Sequence, residues 1–286
     1  MRVEIDTAAI VRNIDRARKL TNVPISLMFK DFYEDIFKHI DDVKCKIFSK
    51  SLADSICYSL GNATQKHNGC LVTTCVDYLV DSSTNGIYEF YIPINAHDNR
   101  EGLSVEKAVE LARYIQKDNY YDISLYGLIT SGCLNEKHPS IQELDSIWEK
   151  VSPYMKGISL GGSFWLSRGQ MPSYVSDIRI GEYMLFGTIP FDDRPELRGE
   201  NAIKVKSKVL GVYPDRKQMI IDCGYSLADV KDCTINHPGI KFVDSSSEYS
   251  IFDMEDGCDI KLCDEIEFIP NYKSLVKLKD AERHYL

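Results

Sequence analysis

The chain has 286 residues, a net charge of -9, 44% hydrophobic and 27% charged residues. That is the make-up of a soluble globular protein with room for one large domain or two ordinary ones. The acidic balance, with no basic block, excludes a nucleic-acid footprint, and no apolar run approaches the roughly 18 residues that a membrane span requires.

The N-terminus, MRVEIDTAAIVRN, is charged from its second residue and reads as a short strand, not a signal peptide. Thr7 is expected to cap a helix that carries Ile10, Ile14, Ala17 and Leu20 on one face. Short apolar runs then recur: PISLMF, CKIFS, CLVTTCV, IYEFYIPI, ISLYGLI, MKGISLGG and DIRIGEYMLFG. Most are followed by stretches of helical period, such as SVEKAVELARYIQK and SIQELDSIWEKVSPYM. This alternation predicts a parallel α/β sheet, open or closed into a barrel. After Gly187 the pattern changes to AIKVKSKVLGVY, KQMIIDCGY, KFVDSSSEYSIFDM and DEIEFIP, which are short strands with turn signals and predict an all-β unit. The Pro- and charge-rich PFDDRPELRGEN is the expected boundary. The nine cysteines are scattered, odd in number and without a C-x-x-C pair, so they are expected to be reduced thiols of a cytoplasmic protein with no metal site.

Chemistry-bearing residues fall at strand exits. Lys30 follows the apolar run PISLMF, where a primary amine is either a surface lysine or one held for carbonyl chemistry. Gly161, Gly162 and Ser163 follow one late strand, and Arg179, Ile180 and Gly181 close another. Backbone N–H groups in such turns can cradle a phosphate, and late loops of α/β barrels do so frequently. A strand-exit lysine with two late phosphate-type turns is what a barrel needs to hold pyridoxal 5'-phosphate.

In this order and spacing the motifs resemble the pyridoxal-phosphate-dependent alanine and ornithine racemases of fold type III. The resemblance rests on VEIDTAAIVRNIDRARKL, LMFKDF, DNREGL, ISLGGSFWL, DIRIGEYMLFG, KFVDSSSEYSIFDM and the closing NYKSLVKLKDAERHYL. It implies a (β/α)8 TIM-like barrel over residues 8–190, with residues 1–7 and 191–286 forming a β-rich domain. It implies a racemase interconverting the L- and D-forms of an amino acid by two bases, through an aldimine on Lys30. Gly162, Ser163, Ile180, Gly181 and Tyr285 would hold the cofactor phosphate. Arg179 would face the pyridine nitrogen; a permanent cation there keeps that nitrogen unprotonated and weakens the electron sink, favouring proton abstraction over loss of carboxylate. The residue-level alternative for Arg179 is an ion pair with Asp177 or Glu182, and for Tyr285 a frayed terminal aromatic.

Inversion needs a base on each face of a planar intermediate. Tyr225, in IIDCGYSLADV, aligns with the alanine racemases' catalytic tyrosine, which serves the partner subunit's site and implies a homodimer; its residue-level alternative is a strand-end tyrosine. Arg100 would bind the substrate α-carboxylate through parallel hydrogen bonds. Asp98 and Glu101 would hold Arg100 in place, or Asp98 would meet a cationic substrate tail, the residue-level alternative for both being a plain surface cluster of charges; Glu248 falls near the family's substrate entrance. The chain departs from the alanine racemases after its lysine, where KDFYED stands in place of Ala-x-x-Tyr-Gly and puts Tyr33 one position early; Cys133 would line the cofactor or simply pack. A decarboxylase of the same fold and a non-catalytic pyridoxal-phosphate carrier are the competing classes.

Overall fold

The computed structural model describes residues 1–29, 34–40, 45–49, 69–72, 87–97, 99, 102–117, 124–131, 136–272 and 274–286. The chain divides into two compact units, Met1–Ile10, Asp35–Asp41 and Glu200–Leu286 in one, and Val11–Glu34 and Asp42–Gly199 in the other.

The second unit holds a seven-stranded parallel sheet in the order β3-β2-β8-β7-β6-β5-β4. The strands are β2 (Ile25–Phe29), β3 (Lys46–Ser49), β4 (Gly69–Val72), β5 (Ile87–Pro93), β6 (Ser124–Thr130), β7 (Gly157–Gly161) and β8 (Val175–Ile180). β2 pairs with β8, the first strand of the sheet beside the last, and β3 and β4 stand at the two ends of the strand order. The sheet also curls. Successive strands lie roughly 4.8 Å apart, so β3 and β5, far apart along this path, would be separated by about 20 Å or more in a flat sheet. Instead Phe48 of β3 meets Tyr91 of β5 edge to face, with ring centroids 5.4 Å apart. Phe48, Tyr91 and Leu128 form one buried cluster, with Met28 and Tyr126 packed against it.

The helices follow from amphipathic periodicity. Helix α1 (Thr7–Leu20) buries Ile10, Asn13, Ile14 and Ala17. Its N-terminal cap is Asp6, whose carboxylate accepts from the Ala9 N–H at 2.8 Å; the expected cap, Thr7, is the first helical residue and donates its hydroxyl to the Leu286 carbonyl at 3.0 Å. Helix α2 (Val105–Lys117) buries Ala108, Leu111, Ala112 and Ile115. Helix α3 (Ile141–Val151) opens with a capping box between Ser140 and Glu143. The apolar run DIRIGEYMLFG does not remain extended: β8 stops at Ile180, and Glu182–Phe186 forms a short helix, α4, with Tyr183, Met184, Leu185 and Phe186 all buried.

The first unit is an eight-stranded sheet along β11-β14-β9-β10-β13-β12, with β1 and β15 attached. These strands are β1 (Arg2–Ile5), β9 (Ile203–Tyr213), β10 (Gln218–Ile221), β11 (Thr234–Ile235), β12 (Ile240–Ser245), β13 (Ser250–Met254), β14 (Glu265–Ile269) and β15 (Glu282–Tyr285). Along β9, Ile203, Val205, Ser207 and Val209 face inward, while Lys204 and Lys206 pair across the sheet with Glu267 at 2.9 Å and Glu4 at 3.0 Å. KFVDSSSEYSIFDM forms the antiparallel pair β12–β13. The C-terminal segment is ordered, not frayed: β15 pairs in parallel with β1, placing Tyr285 opposite Ile5. Among the described residues no helix is long and apolar enough to cross a membrane, and Cys45, Cys223, Cys233, Cys258 and Cys263 are free thiols.

Candidate functional site

Because its seven strands run parallel, the sheet has one rim where they all end in the C-terminal direction, and the glycine turns singled out in the sequence lie there. Period-two alternation puts Asp177 and Arg179 of β8 on one face, while Ile178 and Ile180 point to the other. Arg179 is 2% exposed, and its side chain lies across its neighbours. Nη1 donates to Ser159 Oγ at 2.6 Å; Nη2 donates to Thr130 Oγ1 at 3.0 Å and to the Ile129 carbonyl at 3.1 Å. The guanidinium carbon stands 5.5 Å from the Phe48 ring centroid.

A buried cation is costly unless it is balanced and hydrogen-bonded. The balance here is Asp177, 4% exposed, reached through a hydroxyl and not by direct pairing. Ser159 Oγ accepts from Arg179 and donates its proton to Asp177 Oδ2 at 2.9 Å. Asp177 Oδ1 accepts from Ser176 Oγ at 2.8 Å. Glu182, the other expected partner, accepts from Thr188 at 3.0 Å. Ser159 and Thr130 were not singled out by sequence reasoning, although strand alternation puts Ser159 in register with Gly161 on the Arg179 face.

Gly161 explains how the guanidinium fits. A Cβ at that position would collide with Arg179 Nη2 and crowd Thr130 Oγ1 at 3.1 Å. Gly161→Ala should therefore displace a buried side chain that is hydrogen-bonded through both terminal nitrogens and destabilise the protein by about 1–3 kcal/mol. Urea denaturation checks this; an unchanged midpoint would mean that Arg179 yields without strain.

The two late turns are joined. Gly162, at φ +111°, donates its N–H to the Arg179 carbonyl at 3.0 Å. Ser163, buried, accepts from the Tyr183 N–H at 3.0 Å, so its own O–H proton remains for an acceptor. Tyr183 is fixed in turn by its hydroxyl, which donates to the Leu197 carbonyl at 2.8 Å; burial raises its phenol pKa above the ordinary value. Gly162, Ser163, Arg179, Ile180 and Gly181 thus form one constellation at the β7 and β8 ends. A phosphate fits beside such turns, and a buried fixed cation suits a heteroaromatic nitrogen, so the chemistry of these residues fits pyridoxal 5'-phosphate.

The other predicted residues in the described set lie in the β-rich unit. Tyr225 is 54% exposed. Its N–H donates to the Ser246 carbonyl at 2.9 Å, and its carbonyl accepts from Lys277 Nζ at 3.0 Å. Gly224 permits this approach, since a Cβ there would lie 2.5 Å from the Glu248 backbone. Tyr225 and exposed Glu248 are thereby brought onto adjoining turns. Tyr285 stacks on His39, with ring centroids 3.8 Å apart and planes 17° from parallel. Lys30, Asp98, Arg100, Glu101, Tyr33 and Cys133 lie outside the described residues.

No family model matches the sequence, and no curated protein is similar to it. Solved structures are similar in fold. An alanine racemase from Bartonella henselae with covalently bound pyridoxal phosphate superposes with a TM-score of 0.72 at 15% identity, over 100% of this chain and 99% of that one. A D-threonine aldolase from Filomicrobium marinum gives 0.73 at 13% identity, over 99% and 91% of the two chains. D-threo-3-hydroxyaspartate dehydratase from Delftia sp. HT23 gives 0.69 at 14% identity, over 99% and 94%. A parallel α/β unit joined to a β-rich unit, with these likenesses, gives the chain an alanine-racemase-like fold.

Proposed function

We propose that the chain is a pyridoxal 5'-phosphate-dependent amino-acid racemase acting as a homodimer. The observation that carries this reading is Arg179, a buried cation fixed on the inner face of the curled sheet beside the two glycine turns. The reading includes closure of that sheet into an eight-stranded barrel. It assigns cofactor binding to that barrel, over residues 8–190.

Pyridoxal 5'-phosphate, when bound, supplies an electron sink for negative charge at the substrate α-carbon. Ser163 Oγ and the backbone of Ile180 and Gly181 hold the phosphate, with Tyr285 assigned to the same task by the resemblance; Gly162, whose N–H is committed to the Arg179 carbonyl, shapes the turn beside it. Arg179 faces the ring nitrogen and, being permanently charged, keeps it unprotonated, which moderates the sink and favours proton transfer over decarboxylation. Lys30, the residue directly after β2, carries the cofactor and moves the α-proton at Nζ on one face of the substrate. Tyr225 Oη moves it on the other face, reaching the partner subunit's site. Arg100 binds the α-carboxylate; Asp98 and Glu248 meet the rest of the substrate.

The test is incubation with each L-amino acid in deuterated water, following α-deuteration, optical rotation and carbon dioxide together. A good substrate should exchange its α-proton, lose rotation and keep its carboxylate. Stoichiometric carbon dioxide with an amine would replace the reading by a decarboxylase. Aldehyde with glycine would indicate an aldolase. Cofactor binding without exchange of any amino acid would indicate a carrier.

A further inference from the structure

The relay behind Arg179 has a consequence for how the site is set. Arg179 Nη1, Ser159 Oγ and Asp177 Oδ2 form a continuous chain, with bonds of 2.6 and 2.9 Å, and all three residues are buried. A serine hydroxyl has one proton. Here it is committed to Asp177, so Ser159 presents a lone pair to Arg179. The buried carboxylate therefore fixes the direction of the hydroxyl, and the hydroxyl fixes one arm of the guanidinium. Thr130 Oγ1 and the Ile129 carbonyl fix the other arm. A planar group held through both terminal nitrogens cannot rotate about its long axis without breaking bonds on each side.

We infer that Ser159 and Asp177 are positioning residues that aim Arg179 at the ring nitrogen of the bound cofactor. The inference rests on the cofactor reading above. Neither residue touches the cofactor in this scheme; both act through the arginine. Nothing about a general packing role requires Ser159 to accept from one charged group and donate to another.

The experiment measures binding of two ligands to the full chain by equilibrium dialysis. One is pyridoxal 5'-phosphate; the other is its 1-deaza analogue, in which a C–H replaces the ring nitrogen. An aimed, charge-assisted hydrogen bond should make the wild type prefer the parent compound by about tenfold. Ser159→Ala should bring that ratio close to one, because the guanidinium loses an acceptor on one arm. Ser159→Thr keeps the hydroxyl and should restore the preference. Asp177→Asn preserves shape but allows an amide N–H to face Ser159, reversing the relay, and should reduce the ratio about threefold. A merely structural role would weaken both ligands equally and leave the ratio unchanged.

Thermal unfolding of each variant identifies any that does not fold, and Asp177→Asn and Ser159→Ala are independent probes of the same relay. Wild-type preference retained in both variants overturns the inference. A wild type that binds both ligands equally also overturns it, while leaving the cofactor reading in place. A wild type that binds neither ligand overturns the cofactor reading and the inference together.

Discussion

Lys30→Ala is expected to give a colourless protein that no longer holds pyridoxal 5'-phosphate covalently and turns over amino acids about 10⁴-fold more slowly. The reason is chemical. A primary amine is the group that condenses reversibly with an aldehyde, and alanine offers no nucleophile in its place. The same amine is assigned one of the proton transfers, so its removal costs both attachment and acid–base catalysis. The wild type should absorb visible light, lose that band on reduction by borohydride, and yield a peptide modified at Lys30. Phosphate contacts from the β7 and β8 turns do not depend on Lys30, so the variant should still bind the cofactor weakly and without a bond. A Lys30→Ala protein that still forms a borohydride-stable adduct would move the attachment to another lysine. A variant that is merely unfolded is recognised by its circular dichroism, and Lys30→Met then repeats the test with an apolar side chain of similar length.

The α/β half was legible because strands such as β7 and β8 are buried on both sides and appear as nearly uninterrupted apolar runs, whereas its helices keep one wet face. The same rule explains where the reading failed. Glu182–Phe186 looks like a continuation of β8 because Tyr183, Met184, Leu185 and Phe186 are all buried. A short helix that is apolar on every side has no period to detect. Asp6 and Thr7 are adjacent cap formers, and which of them accepts the Ala9 N–H depends on backbone entry from β1, not on residue type. Strand β15, ERHY, is too short and charged to stand out, and its order comes from pairing with β1 at the far end of the sequence. The site divides in the same way. Gly162, Ser163 and Arg179 lie next to strand ends and could be found by motif. Ser159 could not, because its role comes from the parallel register that places it between Asp177 and Arg179.

Tyr225→Phe is expected to cut interconversion of both enantiomers severely while leaving α-proton exchange from one of them. A single base returns the proton to the face from which it came, so one-sided exchange survives the loss of the opposite base and inversion does not. The expected loss in racemisation is about 10²–10⁴-fold, the range spanned by a well-placed proton-transfer group. Tyr225 is 54% exposed, and the bonds that fix it run through its backbone: its N–H to Ser246 and its carbonyl to Lys277. Removing the phenol oxygen should therefore leave the turn and its stability intact, so that the kinetic effect is not a folding effect. The exposed ring also suits a group that completes the partner subunit's site. If it does so, mixing inactive Lys30→Ala chains with inactive Tyr225→Phe chains should restore activity, because a mixed dimer contains one site with both native residues. At statistical exchange, half of the dimers would be mixed and each would have one working site, so about one quarter of wild-type activity should return. Undiminished racemisation by Tyr225→Phe would assign the second proton transfer to another group. No recovery in the mixture, with subunit exchange shown by mass spectrometry, would place both bases within one chain.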